Sequence, residues 1–262
     1  MLDKSTTSSD DTRARSTGSD EHIADRGRPS APPKPILVVL HQPQSTPSHV
    51  GLTLQNMGHK LDIRRPRFGD PLPETMEHHD GAVIFGGPQS ANDPDDFIKA
   101  ETDWIEVPLR ENKPFLGLCL GAQMFARLLG AKVSFDDGDR VGIGYHPVEP
   151  LVPAINGIEW PSTVYQWHRE GFELPTGAEL LVRADTAFEI QAFQYGSGTA
   201  IQFHPEISYL QVCRWSGNSP HRLAMPCAQD RVTQLRNHLA YAPTVHRWRE
   251  AFLRNWVRPS AR

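Results

Sequence analysis

The sequence has few cysteines and no long apolar run, and these two absences limit the kind of protein it can be. Its three cysteines, Cys119, Cys213 and Cys227, are an odd number at irregular spacing and do not make a disulfide framework. No stretch approaches the roughly 18 to 20 apolar residues of a membrane span, and the N-terminus lacks the apolar centre of a secretory signal. We therefore expect a cytosolic (cytoplasmic) protein with free thiols and no membrane contact.

The sequence also lacks a strong excess of charge of either sign. Its formal net charge is -4 and its isoelectric point lies near 6.3, which gives no broad attraction to phosphate backbones. Hydrophobic residues make up 38% and charged residues 22% of the chain, a composition typical of globular proteins. Small molecules or other proteins are therefore the expected partners, and nucleic acid is not.

Large apolar side chains are nearly absent from residues 1–35, which are rich in Ser, Thr, Asp, Arg and Pro. Such a segment cannot offset the entropy cost of ordering its backbone. The sequence therefore predicts a disordered N-terminal tail over residues 1–35, with folded structure beginning at Ile36.

Beyond this tail, short apolar strands alternate with amphipathic helices. The predicted elements are strand 36–40, helix 48–57, strand 60–63, strand 81–85, helix 95–107, strand 114–118 and helix 122–129. Pro108 is expected to stop the second helix. This order predicts an α/β fold with a doubly wound, mostly parallel sheet and helices on both faces, followed by shorter strands over residues 133–204.

The chain ends in a predicted amphipathic helix over residues 244–257, with Thr244 as its cap. Trp248, Phe252 and Trp256 share one face of this helix, a spacing that indicates core packing more often than a partner-binding stripe. A dimer interface there stays open. Residues between the main domain and this helix look irregular, so residues 211–262 are predicted to form an extension whose last helix packs on the domain.

The sharpest local motif is Gly117-Leu118-Cys119-Leu120-Gly121, which lies between a predicted buried strand and a predicted helix. Glycines on both sides allow the tight turn of a nucleophile elbow, and the positive end of the helix favours a thiolate and can hold an oxyanion. A lone cysteine after a strand is more often a buried, inert thiol. The two glycines and the strand-turn-helix setting favour a nucleophile here.

A base for this thiol is offered by Gln202-Phe203-His204-Pro205-Glu206, which follows another strand-like run. His204 can take the proton of Cys119, and Glu206 can fix the tautomer of the ring, the third role of a catalytic triad. Taken alone, His204 could equally be a core histidine before a turn-forming proline. Its combination with the cysteine motif favours catalysis.

Together these motifs resemble the class I glutamine amidotransferases, which implies a flavodoxin-like sheet over residues 36–210 and a triad of Cys119, His204 and Glu206. The elbow continues as Ala122-Gln123, and the resemblance implies that Gln123 contacts substrate. Phe85-Gly86-Gly87-Pro88 is similar to the glycine loop of that family, although an ordinary turn between a strand and a helix would look the same. The resemblance implies that the Gly87 and Leu120 N–H groups hold the oxyanion.

A closer resemblance is to stand-alone proteins similar to the amidotransferase domain of GMP synthase. Val164-Tyr165-Gln166-Trp167-His168 is similar to their substrate-side segment, which implies that Trp167 and His168 bind substrate. Arg169 stands where those relatives usually carry glycine, whereas Glu170 keeps their acid. Arg169 could narrow the pocket or pair with a substrate carboxylate, or it could be a solvated loop residue.

The resemblance implies hydrolysis of the glutamine side-chain amide without a metal or other cofactor. A γ-glutamyl peptide hydrolase would use the same triad, and a catalytically idle binding or regulatory module is the alternative from another class. Ammonia made for synthesis would require a separate synthetase or acceptor chain, and a homo-oligomer stays open. The spacing of Cys213, His221 and Cys227 matches no familiar zinc site. The adjacent residues His78-His79-Asp80 fit a solvated loop better than a metal site.

Overall fold

The computed structural model describes residues 32–155 and 157–258. Its strands, in chain order, are β1 (Ile36–Val39), β2 (Leu61–Arg64), β3 (Gly81–Ile84), β4 (Phe115–Leu118), β5 (Val133–Phe135), β6 (Gly142–Pro147), β7 (Glu149–Pro150), β8 (Thr163–His168), β9 (Glu170–Phe172), β10 (Glu179–Arg183), β11 (Ile190–Tyr195) and β12 (Gly198–Ile201). Its helices are α1 (Ser48–Asn56), α2 (Asp96–Trp104), α3 (Glu106–Arg110), α4 (Leu120–Leu128), α5 (Tyr209–Asn218), α6 (Pro220–Leu223) and α7 (Arg231–Trp256). Residues 1–31 of the predicted tail lie outside the described part of the chain.

An eight-stranded sheet has the order β2-β1-β3-β4-β12-β11-β10-β7. Its first five strands are parallel, and the last three add antiparallel pairs. Two smaller antiparallel sheets, β5-β9 and β6-β8, lie outside it. This is the predicted α/β fold, confirmed in its mostly parallel, flavodoxin-like sheet.

Apolar side chains form a core on each face of the large sheet, as the doubly wound prediction requires. Alternate residues of β1 divide between the two cores, because successive side chains of a strand point to opposite faces. Ile36 and Val38 pack with α1 and α7 on one face, and Leu37 and Val39 pack with α2 and α4 on the other.

The register of β4 and β12 determines where the candidate site forms. Leu118 pairs with Ile201, so both strands end at the same level of the sheet. The Cys119 N–H continues this pairing by donating to the Ile201 carbonyl at 2.8 Å. The two sequence motifs therefore leave the sheet side by side at its carboxyl edge, where α/β proteins form their sites.

The second helix was predicted too long. It ends at Trp104, and Pro108 lies inside the separate short helix α3 instead of stopping α2. The first turn of a helix has N–H groups without intrahelical acceptors, so a proline, which has no N–H, is tolerated there.

The C-terminal segment is more regular than predicted. Ser208 and Gln211 form a capping box that starts α5 within the stretch expected to be irregular. The last helix begins at Arg231, where Asp230 caps it, and Thr244 lies in its interior. It continues through Pro243 because buried residues anchor it on both sides of the proline. Its predicted aromatic face is confirmed as core, since Trp248, Phe252 and Trp256 are buried on the sheet.

Candidate active site

Cys119 occupies the turn between β4 and α4 in a strained backbone conformation. Its φ is 50° and its ψ is -102°, a region that residues other than glycine rarely adopt. The side chain is buried, and the residue stands immediately before the N-terminus of α4. Strain of this kind persists only where the surroundings enforce it, and it is common at functional sites.

The two glycines of the motif are required by close packing around this turn. A Cβ atom on Gly117 would lie 2.5 Å from the Gly121 carbonyl oxygen, and one on Gly121 would lie 2.2 Å from the Ile84 carbonyl oxygen. Both distances are shorter than real contacts of a Cβ atom. The motif therefore lets α4 lie directly against β3 and β4, which forces the sharp turn at Cys119.

His204 and Glu206 form a buried pair on the adjacent loop. The His204 Nδ1–H donates to the Glu206 carboxylate at 2.7 Å, which leaves Nε2 available to the Cys119 thiol. A Cβ atom on Gly86 would lie 3.1 Å from His204 Cε1 and 3.8 Å from Cys119 Sγ. The structure thus brings the imidazole and the thiol together beside the glycine loop.

The electrostatic surroundings of His204 favour its charged form. Burial of the ring opposes a charge, but the Glu206 carboxylate and Cys119 outweigh it and hold the pKa of His204 above its ordinary value. The Trp215 indole packs edge-on against the His204 ring, with 5.0 Å between the ring centroids. The arrangement suits a base that must hold and return a proton close to a thiol.

Long-range contacts fix the loop that carries His204 and Glu206. The Glu206 carbonyl accepts from the Ser48 hydroxyl at 2.8 Å, and the Pro205 carbonyl accepts from the Arg249 guanidinium at 3.0 Å. The His204 N–H donates to the Tyr165 carbonyl at 2.9 Å. Helices α1 and α7 and strand β8 therefore all support this loop.

The predicted oxyanion donors lie around the same point. Gly87 belongs to the cavity wall, and Leu120 is the first residue of α4, so its N–H has no acceptor within the helix. Behind the glycine loop, the His41 Nδ1–H contacts the Gly86 carbonyl at 3.2 Å, and His41 Nε2 lies 2.7 Å from the Glu101 carboxylate. Both side chains of this pair are fully buried.

A cavity of about 450 Å³ opens over the thiol. Its wall consists of Leu40, Gln42, Gln44, Ser45, Thr46, Phe85, Gly86, Gly87, Pro88, Cys119, Trp167, His204, Glu206, Gln211, Arg214, Trp215, Asn218, Ser219 and Arg222. A cavity of similar volume, about 470 Å³, lies at the other edge of the sheet beside Pro114 and Ser197 and is lined by no cysteine or histidine. Only the first of these two cavities holds the candidate triad.

Two expected substrate contacts do not reach this cavity wall. The Gln123 amide is buried and donates to the Glu170 carbonyl at 3.0 Å and to Gln202 at 3.2 Å. His168 is buried too, and its Nδ1–H donates to the Glu170 carbonyl at 3.0 Å. Burial and the nearby His204 lower the pKa of His168 to about 3, so its ring is neutral. Gln123 and His168 lie outside the cavity wall, and Trp167 belongs to it.

The cavity residues that the sequence motifs did not predict come from the loop after β1, which includes Gln42 to Thr46, and from α5 and α6. Arg214, Trp215 and Arg222 line the cavity, yet they belong to a stretch predicted to be irregular. The Ser208 cap followed by Gln211 was a sequence signal that could have revealed α5. Arg169 does not line the cavity, and its guanidinium lies 5.4 Å from the centre of the Phe135 ring.

Metal ligands do not gather in the described part of the chain, where no group of three or more His, Cys, Asp or Glu side chains could hold an ion. The predicted loop residue His79 instead contacts the Asp62 carboxylate at 3.0 Å. Within the described residues, no helix is long and apolar enough to cross a membrane.

The fold and the site define a class: an α/β protein with a cysteine, a histidine and a carboxylate at the carboxyl edge of a doubly wound sheet. The family model described as glutamine amidotransferase class-I matches residues 51–211, more than half of the chain. The protein belongs to the class I glutamine amidotransferase family, as the motifs predicted.

The individual relatives are distant. A glutamine-hydrolyzing GMP synthase subunit of Ignicoccus hospitalis is 28% identical over 162 residues, which cover 61% of this chain and 82% of that protein. A putative glutamine amidotransferase-like protein, YfeJ of Salmonella typhimurium, is 28% identical over 55% of this chain and 63% of its own length. The solved glutamine amido transferase of Methylobacillus flagellatus has a TM-score of 0.77 at 26% identity, and the match covers 88% of this chain and 98% of that one. The match thus spans less than two thirds of YfeJ.

Proposed function

We propose that the protein hydrolyses the side-chain amide of glutamine or of a γ-glutamyl compound, with Cys119 as nucleophile. The observation that carries this proposal is the buried His204–Glu206 pair, 2.7 Å apart, beside a strained cysteine at the floor of the cavity. Removing a histidine and a carboxylate from water costs free energy of desolvation, and buried pairs of this kind are common at functional sites. Membership of a family with glutamine-hydrolysing relatives supports the same reaction.

In the proposed reaction the Cys119 sulfur attacks the carboxamide carbon, and the carbonyl oxygen becomes an oxyanion. The Gly87 and Leu120 N–H groups donate to this oxyanion. His204 takes the proton of the Cys119 thiol during this attack and gives it to the amide nitrogen as the C–N bond breaks, so ammonia or an amine leaves and a thioester remains. Water then attacks the thioester while His204 takes its proton. The C–S bond breaks, glutamate leaves, and His204 returns the proton to the Cys119 sulfur. Glu206 holds the ring in the tautomer that both transfers need.

A γ-glutamyl peptide hydrolase is the second candidate, and the size of the cavity favours it. A volume of about 450 Å³ lies within the range of pockets that accept drug-sized ligands, so it has room for more than free glutamine. In this case the leaving group is an amine larger than ammonia. If the product is ammonia for synthesis, a separate synthetase or acceptor chain would receive it, in keeping with the name of the Ignicoccus relative, which is one subunit of a GMP synthase. A cytosolic location stays a prediction.

The test is glutamate release by the purified chain from glutamine and from a panel of γ-glutamyl peptides. We expect Cys119→Ala to lower the rate by about a thousandfold or more. Cys213→Ala, which removes a partly buried thiol in α5, is the matched control and should keep full activity. Release chiefly from glutamine would indicate a glutaminase, and release chiefly from peptides would indicate the peptidase.

An electrophilic glutamine analogue provides a second measurement that does not need turnover. The proposal predicts that it labels Cys119 in preference to Cys213 and Cys227. Absence of both turnover and labelling would contradict the proposal and favour the idle binding module.

A further inference from the structure

Helices α5 and α6 bring two arginines, Arg214 and Arg222, to the wall of the cavity over Cys119. Arg214 is exposed and Arg222 is half-buried. In the described part of the chain, the arginines that pair with carboxylates are others, at positions 64, 140 and 183. Arg214 and Arg222 thus line the space over Cys119 without a carboxylate partner among the described residues.

The cavity offers these arginines no free carboxylate of its own. The only acidic residue in the wall is Glu206, which already accepts from His204. Burial and the neighbouring charge of Arg169 lower the pKa of Arg222, whereas Cys119 raises it, which indicates that Arg222 lies within electrostatic reach of the nucleophile. Like charges collected around one partly buried space favour an anion there.

The helix that carries Arg214 is firmly positioned. The capping box of Ser208 and Gln211 fixes its start, and Val212 on its inner face packs in a small core with Tyr145, Tyr165 and Ile207. Trp215 packs on the same core from the cavity side. A planar guanidinium on such a support is suited to bind a carboxylate with two parallel hydrogen bonds.

We propose that Arg214 and Arg222 form a carboxylate subsite of this cavity, and that it holds the anionic leaving group of a γ-glutamyl substrate. Preferred substrates then carry a carboxylate on the amine that departs when the γ-amide C–N bond breaks, with the proton for that amine supplied by His204. This inference rests on the proposed function and narrows its substrate class. The volume of about 450 Å³ leaves room for such a leaving group beside the glutamyl part.

The test compares substrates that differ only in one charge. Glutamate release is measured with γ-glutamylglycine, with γ-glutamylglycinamide, in which that carboxylate is a neutral amide, and with glutamine. We expect Arg222→Gln to lower kcat/KM for γ-glutamylglycine by about tenfold or more and to leave the other two unchanged. Arg214→Gln should act in the same direction. Arg236→Gln, an exposed arginine of α7 outside the cavity, is the control and should change none of them.

Glutamine whose α-carboxylate is replaced by an amide distinguishes the two carboxylates that such a subsite could hold. If the arginine variants lower kcat/KM for every substrate except this one, the subsite binds the α-carboxylate. Binding of a carboxylate would then be supported, but the carboxylate would be that of the glutamyl part and not that of the leaving group. An equal loss on all four substrates, or no loss on any, would overturn the subsite.

A binding measurement separates failure of the subsite from failure of the proposed function. Calorimetry with Cys119→Ala should show tighter binding of γ-glutamylglycine than of γ-glutamylglycinamide, and the double variant with Arg222→Gln should lose this preference. If the wild-type chain hydrolyses none of the substrates, and Cys119→Ala still binds γ-glutamylglycine more tightly than γ-glutamylglycinamide, the hydrolytic function fails and the subsite stands. If Cys119→Ala shows no preference, the subsite is wrong even in an active enzyme.

A different observation supports a second inference, about the fully buried pair of His41 and Glu101. A carbonyl can only accept, so the contact at 3.2 Å directs the His41 Nδ1–H at the Gly86 carbonyl. Nε2 lies 2.7 Å from the Glu101 carboxyl, so a second proton lies between these two groups and holds the other side of the ring. In a trans peptide the C=O and N–H groups point in opposite directions. Fixing the Gly86 carbonyl towards His41 therefore turns the Gly87 N–H away from His41, and Gly87 lines the cavity over Cys119.

We infer that His41 and Glu101 are positioning residues that hold the Gly87 N–H ready for the oxyanion. The test uses glutamate γ-semialdehyde, whose adduct with the thiol carries an oxyanion, and glutamine binding to the Cys119→Ala chain, which carries none. Glu101→Gln should weaken aldehyde inhibition by about tenfold and leave glutamine binding unchanged. Thr102→Ala, a buried neighbour on α2 that bonds back to the Ile98 carbonyl, is the control. Equal weakening of both ligands, or of neither, would overturn the inference.

Discussion

The two loops that carry the candidate triad leave adjacent strands at one edge of the sheet, yet they are built in different ways. The turn at Cys119 depends on two glycines of one five-residue motif, because Gly117 and Gly121 let the helix lie against the ends of β4 and β3. The loop of His204 and Glu206 is held by distant parts of the chain, through Ser48 in α1 and Arg249 in α7.

This difference explains why the glycines of the cysteine motif predict its turn, whereas the histidine motif does not reveal the contacts that support its loop. Steric demands over a few residues leave a pattern in the sequence, whereas a carbonyl that needs a donor can receive it from any part of the fold. The comparison also assigns a task to the C-terminal helix, since Arg249 reaches the backbone between the two catalytic candidates.

The largest effect should come from Gly121→Ala, which tests whether the elbow is determined sterically. The new Cβ atom would lie 2.2 Å from the Ile84 carbonyl oxygen, a backbone atom that cannot move aside without shifting β3. We expect the free energy of unfolding to fall by about 3 kcal/mol or more and the soluble yield to drop. Denaturant unfolding followed by circular dichroism measures this change.

Gly217→Ala is the matched control for that prediction. This glycine lies in helix α5, and a new Cβ atom there would have no neighbour closer than 3.6 Å, so alanine should be neutral or stabilise by about 0.5 to 1 kcal/mol. If both variants behaved alike, the elbow would not depend on close packing at Gly121.

The sequence predicted the mostly parallel sheet, the alternation of strands and helices in its first half and the cysteine motif, because each leaves a local pattern of apolar residues or glycines. It did not reveal α5 and α6, since their polar sequence buries few residues and depends on the cap at Ser208. The partnership of His41 with Glu101 was also missed, although a polar residue directly after a buried strand was a usable signal. Contacts across 60 residues of chain cannot be inferred from spacing alone.

A smaller effect is expected from Arg249→Met, which tests the long-range support of the second loop. Burial lowers the pKa of Arg249 to about 10 against the pull of the Glu250 and Glu206 carboxylates, so the side chain is still charged at neutral pH. Its loss leaves the buried Pro205 carbonyl without a donor, at a cost of about 1 to 3 kcal/mol. We expect a lower unfolding free energy together with a lower kcat, measured by denaturant titration and glutamate release.

Arg254→Met, on an exposed position of the same helix, is the control for Arg249. It should leave both quantities nearly unchanged. If Arg249→Met lowered the free energy of unfolding but kept full kcat, α7 would support the fold without positioning His204.

The smallest effect is the pH dependence that Glu206 confers on stability. It tests whether charge contributes to the stability of the His204 loop, in contrast to the close packing that determines the turn at Cys119. The pKa of His204 is raised on folding, so the folded state holds this proton more tightly than the unfolded chain does. This contribution to stability is complete below the unfolded value of about 6.5 and is lost as pH rises through the folded value. Glu206→Gln, which keeps an acceptor for Nδ1–H but removes the charge, should therefore lower the free energy of unfolding by about 1 kcal/mol at pH 6 and by progressively less towards pH 9. Glu250→Gln breaks the exposed pair with His246, and its effect on the free energy of unfolding should not change with pH. If the loss of unfolding free energy in Glu206→Gln grew with pH, the Glu206 charge would not stabilise the protonated form of His204.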